Sequence, residues 1–561
     1  MKKHIIILTS ILASASVLAS CSQELLEIEQ HNVIEQDSYY ENATDDDAMS
    51  LIAGIYRDFY TNLYTAGAPS SGHNPIQEKN CLGGDSYHAS DAAVEIQEFS
   101  DHALTPNSVA LKPFYQHYYA IVKYANLILD KLADDTTVKK RVRAEARAFR
   151  GIVYIDIIRY WGTPALVDHV LTPAEAKEIT NGDPAELWKL VEDDLLAAAE
   201  VLPSKTDKNG QAAIGGRLTK EACYAYLGRA KLWQKDYAGA ANYLGKVISS
   251  NLYDLLDDPA LIYRPAADLS CEYIFEHNSN DENTDNKENQ EYRWNSPFLG
   301  WRASNIRIPA DVIDGSWGYL SPAKEFGEFV YSYDRGADGN LSKRAKTLVI
   351  SFDDLMTSGW FFNGLVDESG QKVLPTKGSD IVWSAPVNYC GGYFQIRLLT
   401  YKEDLFPYTS LYNAYNKRNY PYMRYTEVLL SYAEAVLNTS ATAGMSGLDA
   451  INKVRVRAGL PALSSYTLSD VKNERRAEMF FENERFFDLV RWGDAATVLA
   501  NKGKVDYDFY GYKNDGGVGS EWDIRSKEGK KPSGFIAGRD ELLPFPLSEI
   551  ESTNVQQNPG Y

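Results

Sequence analysis

The stretch TKEACYAYLGRAKLWQKDYAGAANYLGKVISS, residues 219–250, decides the fold. Apolar and small residues recur at three- and four-residue steps on both sides of Gln234-Lys235-Asp236, so the stretch reads as two helices joined by a turn. Gly228, Ala230 and Ala241 are small positions that let two helices approach, while Tyr237 and Tyr243 are bulky positions that fill the groove between them. One such pair cannot cover its own apolar face, so further pairs must stack on it.

The small and bulky positions fall near those of a tetratricopeptide-type repeat, and helical patterns to either side supply the partners. Ala48, Leu51, Ile52, Ile55 and Phe59 form one face of a helix from about Asp45, and Phe114, Tyr118, Ile121, Val122, Ala125, Ile128 and Leu129 form another from about Lys112. A further helix covers about 138–160. Asp183-Pro184-Ala185-Glu186 starts the next with an N-cap acid, a first-turn proline and a glutamate at N3, and Pro203 ends it. Thr172-Pro173-Ala174-Glu175 repeats that device for a short helix. Helices return at Tyr422–Asn438, at about Ser446–Ala458 and at Asp470–Arg491, the last capped by Thr467-x-x-Asp470.

Two regions break the pattern. Residues 61–107 cluster Gly, Pro, Ser and Asn and read as a long excursion loop. From 256 to 418 helical periodicity fades; Tyr273-Ile274-Phe275-Glu276 reads as a short strand and Asn278–Asn289 as a polar surface loop. The expected fold is therefore mainly α: tetratricopeptide-like helix pairs form a scaffold over 45–255 and 419–495. A loop-rich insertion with few short strands spans 256–418, and a loop-rich tail covers 496–561. No linker divides 45–561, which reads as one domain.

Lys2-Lys3 followed by an apolar stretch to Ala19 reads as a signal peptide over residues 1–20, too short to span a membrane. It ends in Leu18-Ala19-Ser20-Cys21, the pattern of a bacterial lipobox, which makes Cys21 a lipidation site and 21–44 an anchor and tether. The formal charge of −20 becomes −22 once the two lysines leave. So acidic a chain argues against nucleic acid as a partner. Cys81, Cys223, Cys271 and Cys390 show no zinc-like spacing; Cys223 reads as a buried small hydrophobe, and a disulfide among the other three stays open.

Catalytic signatures do not emerge. No HExxH, GxSxG or Walker loop occurs, and the histidines form no close pair. Glu474, Glu478 and Glu482 repeat at four-residue steps, so they share one helix face and do not straddle a glycosidic bond; pairing with arginines such as Arg475 and Arg476 is the expected role. Asp281-Glu282-Asn283-Thr284-Asp285 offers oxygen ligands to Ca²⁺ but lacks the turn glycine of an EF-hand, so a solvated loop is the favoured reading and no cofactor is expected. Aromatics are 12% of the chain, and Trp294, Trp301, Trp317, Trp360, Trp383, Tyr389 and Tyr393 all fall in the irregular region, where flat rings suit the apolar face of a sugar.

Several stretches in order resemble the SusD/RagB family. VKNERRAEMFFENERFFDLVRWG at 471–493 is similar to that family's ERRxELxFEGxRxFDLxRWG segment. YMRYTEVLLSYAEAVLN at 422–438, DAINKVRVRAGLPAL at 449–463, SCEYIFEHN at 270–278, LPFP at 543–546 and QNPGY at 557–561 also resemble family motifs, as do 144–166 and 216–254. The chain departs from the pattern at Asn483, where glycine is usual, and at Thr163.

The resemblance implies a non-catalytic lipoprotein on the outer leaflet of the outer membrane. It would bind oligosaccharides and deliver them to a SusC-like TonB-dependent transporter. It also implies a ligand site in loops of the early excursion and the middle region. On that basis the expected contacts are Trp294, Trp301 and Trp317, with Asp85, Tyr87 and Arg302 as polar or edge partners and Trp360 and Tyr389 in reserve. Peptide capture, as in RagB-like members, and a surface glycoside hydrolase on a helical scaffold are the alternatives.

Overall fold

The computed structural model describes residues 36–64, 75–89, 94–206, 216–278, 299–301, 316, 318–357, 360–361, 391–401, 404, 418–440, 444–514 and 518–561. Helices α1 (Asp45–Leu63), α2 (Pro75–Leu82), α3 (Val94–Ser100), α4 (Leu111–Lys131), α5 (Thr137–Trp161), α6 (Pro184–Val201), α7 (Lys220–Trp233) and α8 (Tyr237–Ser249) form the first block. After α9 (Lys324–Tyr333), helices α10 (Tyr425–Leu437), α11 (Gly447–Ala458), α12 (Leu468–Glu478) and α13 (Arg485–Trp492) form the second. Four antiparallel two-stranded sheets join distant parts of the chain: β1 (Ser86–His88) with β3 (Leu320–Pro322), β2 (Tyr273–His277) with β6 (Tyr420–Arg424), β4 (Val349–Ser351) with β5 (Tyr393–Gln395), and β7 (Val505–Asn514) with β8 (Val518–Glu528).

The architecture is mainly helical, and the helix pairs follow the capping chemistry of the sequence. Thr219 accepts from the Ala222 N–H to start α7, Asp183 accepts from Ala185 and Glu186 to start α6, and Thr467 and Asp470 form a reciprocal capping box at α12. A Cβ added to Gly228 would lie 2.4 Å from Leu244 Cδ2, so glycine there is what permits α7 and α8 to pack. Helix α5 is covered on every side over more than half of its length, from Ala148 to Trp161. The C-terminal segment closes over its end: Trp161 Nε1 donates to Pro544 O at 3.0 Å, and Asn558 Nδ2 donates to Leu543 O at 2.7 Å and Trp161 O at 3.2 Å. Gln557 bonds both the N–H and the carbonyl of Phe545, so the LPFP and QNPGY stretches are two halves of one clasp.

Four details differ from the sequence reading. The excursion 61–107 contains α2, α3 and β1, because Ile76, Leu82, Ile96 and Phe99 are buried and need ordered backbone around them. The stretch 422–438 begins as strand β6, whose pairing with β2 takes Tyr422 to Arg424 before α10 starts. The single helix expected over 470–491 is split into α12 and α13, because Phe481 and Asn483 adopt φ of 65°, which no right-handed helix accommodates. Asparagine tolerates that conformation better than most residues, which explains both the usual glycine at 483 and its substitute here. The tail carries the β7–β8 hairpin instead of loop alone. Cys81, Cys223 and Cys271 are free thiols, with Cys81 and Cys223 buried. Among the described residues no helix is long and apolar enough to cross a membrane.

Candidate functional site

An ion network lies beneath the irregular region and fixes it to the scaffold. Arg424, at the end of β6, is fully covered and donates to Glu272 at 2.5 Å, Glu478 at 3.2 Å and Glu482 at 2.6 Å. Arg457 of α11 adds bonds to Glu272 and Glu478, and Arg397 pairs with Glu482. Arg344 enters from the insertion and donates to Asp334 at 2.8 Å, Glu474 at 2.8 Å and Glu478 at 3.2 Å. Burial pushes the Glu478 carboxyl up, but the guanidinia of Arg457, Arg424 and Arg344 outweigh it and hold it at about 2. Glu474, Glu478 and Glu482 thus act as counter-ions inside the packing, but their partners are Arg344, Arg397, Arg424, Arg455 and Arg457; Arg475 and Arg476 pair with Asp488 and Asp85 instead, and Glu482 lies beyond the end of α12.

Above this network the chain forms an open cleft of about 600 Å³, within the range of ligand sites. Its walls are Tyr331, Arg335, Asn340, Leu341, Lys346, Ser351, Asp353, Asp354, Trp360 and Tyr393. Each comes from a short element tied to the frame. Tyr331 sits near the end of α9; it donates its hydroxyl to Asp354 at 2.7 Å and accepts from the Ser351 N–H at 2.8 Å. Burial raises the Tyr331 hydroxyl well above its ordinary pKa, so it stays protonated and keeps donating. The turn after α9 closes through the Arg335–Leu341 bridge, and Ser342 donates its hydroxyl to Asp334 at 2.7 Å. Asp334 is the same carboxylate that Arg344 holds, so the turn is anchored directly to the ion network. Arg335 is itself clamped, donating to Tyr331 O at 2.6 Å and Gly339 O at 2.7 Å. Beside Tyr331, with ring centroids 5.5 Å apart, Tyr393 of β5 packs on Gly327, where a Cβ would come within 2.1 Å of the ring.

Trp360 is half-buried, and its ring meets Phe361 edge-on at 6.1 Å. Behind it, Trp301 stacks at a tilt on Phe361 at 5.2 Å and donates its indole N–H to Gln395 O at 2.5 Å. Trp301 is only 6% exposed, so it supports Phe361 and strand β5 from below and does not form the open wall. Asp85 and Tyr87 lie elsewhere, beside and within β1. Asp85 is buried and binds Arg476 at 2.7 Å and Arg485 at 3.0 Å; burial raises its carboxyl, and the two guanidinia more than reverse that shift. Tyr87 is covered, with Lys502 Nζ 3.4 Å from its ring centroid. Neither lines the cleft. Trp294, Arg302, Trp317, Tyr389, Cys390, Cys21 and the acidic run 281–285 lie outside the described residues.

Of the sequence candidates, the cleft therefore brings Trp360 to its surface and Trp301 to its support. It adds Tyr331, Arg335, Asn340, Lys346, Asp353 and Asp354, which the sequence reading does not single out. The available signal was the polar turn YSYDRGADGN at 331–340, lying within an aromatic-rich region.

A rigid helical-repeat frame that carries an aromatic, polar-rimmed cleft on irregular segments defines a ligand-binding scaffold protein. Comparison with known proteins gives its family. The model described as "SusD family" matches residues 385–561, and one described as "Starch-binding associating with outer membrane" matches residues 44–232. The chain belongs to the SusD family. It is 23% identical to a SusD-like protein of Formosa agariphila, covering 89% of this chain and 93% of that one. It is also 23% identical to a SusD-like protein of Bacteroides ovatus, with coverages of 83% and 77%. Among solved structures, a laminarin-binding SusD-like protein superposes with a TM-score of 0.69 at 22% identity, covering 92% of this chain and 99% of the other. Surface glycan-binding protein A from Bacteroides thetaiotaomicron, solved with laminarihexaose, superposes with a TM-score of 0.66 at 19% identity and coverages of 92% and 100%.

Proposed function

We propose that this protein is a cell-surface glycan-binding protein that captures oligosaccharides in the Trp360 cleft and delivers them to a SusC-like TonB-dependent transporter. It binds and does not hydrolyse. The observation that carries the reading is the cleft itself: aromatic rings at Trp360 and Tyr393 beside amide, carboxylate and cationic groups, all held by a rigid base. A pyranose packs its C–H face on a ring and needs such groups for its hydroxyls. The names of the structural relatives, a laminarin-binding protein and surface glycan-binding proteins, point the same way. In this reading Cys21 carries the lipid that tethers the protein to the outer membrane, and Trp294, Trp317 and Arg302 are further ligand contacts. The glutamates of α12 are spent in ion pairs, which leaves them no part in glycoside cleavage.

Native gels containing polysaccharide test the reading. Residues 22–561 should be retarded by at least one glycan, and Trp360→Ala should lose about tenfold in affinity, the usual scale for one aromatic anchor. Retention on oligopeptides with none on any glycan would replace sugar by peptide as the ligand.

A further inference from the structure

The charges of the cleft narrow the ligand class. Most arginines among the described residues are matched to a carboxylate, as Arg344, Arg424, Arg457, Arg476 and Arg491 illustrate. Arg335 is an exception, and Lys346 is a lysine in the same position. Both are exposed at the cleft, and neither makes an ion pair among the described residues. Arg335 is fixed by two backbone carbonyls, which orient its guanidinium without neutralising it. Lys346 places its ammonium over the Trp360 ring, 6.0 Å from the centroid. Of the two acids in the cleft, Asp354 already accepts the Tyr331 hydroxyl, and Asp353 stands exposed on the rim. The chain's formal charge of −20 repels polyanions at long range, so these two cations hold an anion only at close range, where they add charge attraction to the hydrogen bonds any sugar would draw from them.

Building on the glycan reading, we infer that the cleft takes an acidic saccharide, with an anionic substituent bridging Arg335 and Lys346 while a sugar ring rests beside Trp360. The shared chemistry is an oxyanion, and it arises either as a uronate carboxylate or as a sulfate ester. Arg335 suits either as a planar donor, and Lys346 adds a mobile charge. The hydroxyls of the same sugar fall to Asn340 and Asp353.

Two matched pairs of probes separate the sources: polygalacturonate against its methyl-esterified form, and dextran sulfate against dextran. Residues 22–561 should retain one anionic probe about tenfold more strongly than its neutral partner. A preference for polygalacturonate assigns a carboxylate, and one for dextran sulfate assigns a sulfate. The ratio should fall toward one in the Arg335→Gln/Lys346→Met variant and as salt rises, since exposed charges are screened. Thermal melts of the double variant should match the parent, because both side chains are exposed. Equal or stronger retention of the neutral partners, an unchanged ratio in the double variant, or no retention of either anionic probe overturns the inference. Neutral-glycan retention that Trp360→Ala weakens would leave the glycan reading standing while this one falls.

Discussion

Replacing Arg344 by methionine should loosen the ligand-bearing turn from its base. Arg344 is 1% exposed and holds three carboxylates that are themselves fully covered. Glu474 would keep Arg455, and Glu478 would keep Arg424 and Arg457. Asp334 would keep only the Ser342 hydroxyl. The cost is therefore concentrated on one buried carboxylate left without a cation, and breaking such a pair costs about 3–5 kcal/mol. With an unfolding entropy of about 2.1 cal/mol/K per residue, the folded chain has roughly 1.1 kcal/mol/K at its midpoint, so Tm should fall by about 3–5 °C. Arg344→Met/Asp334→Asn removes the stranded charge and should recover about half of that loss. Urea and thermal unfolding followed by tryptophan fluorescence give the stabilities, and limited proteolysis should show earlier cleavage within 334–346 in the single variant. A single variant within about 1 kcal/mol of the parent, or a double variant no better than the single, would refute the reasoning.

The remaining expectations are local. Glu478 is held at about 2 in the fold, below the ordinary ~4.3 of an unfolded glutamate; its contribution to stability is complete above that ordinary value and is lost as pH falls toward 2. Urea midpoints measured from pH 5 down to pH 2.5 should fall accordingly, and Glu478→Gln should flatten the slope. Gly228→Ala forces a methyl into Leu244 and should cost about 1–3 kcal/mol, and Leu244→Ala in the same chain should relieve the clash; chemical denaturation of both variants checks this. Asn483→Ala should destabilise by about 1 kcal/mol because its φ is 65°, while Asn483→Gly should be neutral or better in the same melts.

The helical frame was legible because its signals are local. The caps Thr219, Asp183 and Thr467 act within one turn of their own positions, and the small-residue seam at Gly228 meets Leu244 in the very next helix. The clasp between LPFP and QNPGY was visible only as two motifs, since Gln557 meets Phe545 through the fold. The split between α12 and α13 was hidden because phenylalanine and asparagine at 481 and 483 carry no obvious stop. The cleft was the least legible part. Trp301 and Trp360 look alike in sequence, yet one is a covered support and the other an open wall, a difference set by β5 and Phe361 more than 30 residues from one or other of them. Asp85 likewise looks like a loop acid, and only Arg476 and Arg485, nearly 400 residues on, make it a buried counter-ion.

The central claim is that sugar rests in the Trp360 cleft. A crystal of residues 22–561 soaked with an oligosaccharide that the protein retains in gels tests it most directly. The account predicts ordered pyranose density against Trp360 or Tyr393, with hydroxyl or anionic groups reaching Asn340, Arg335 or Lys346. Ordered sugar on another face of the molecule, with this cleft holding only solvent, would contradict it.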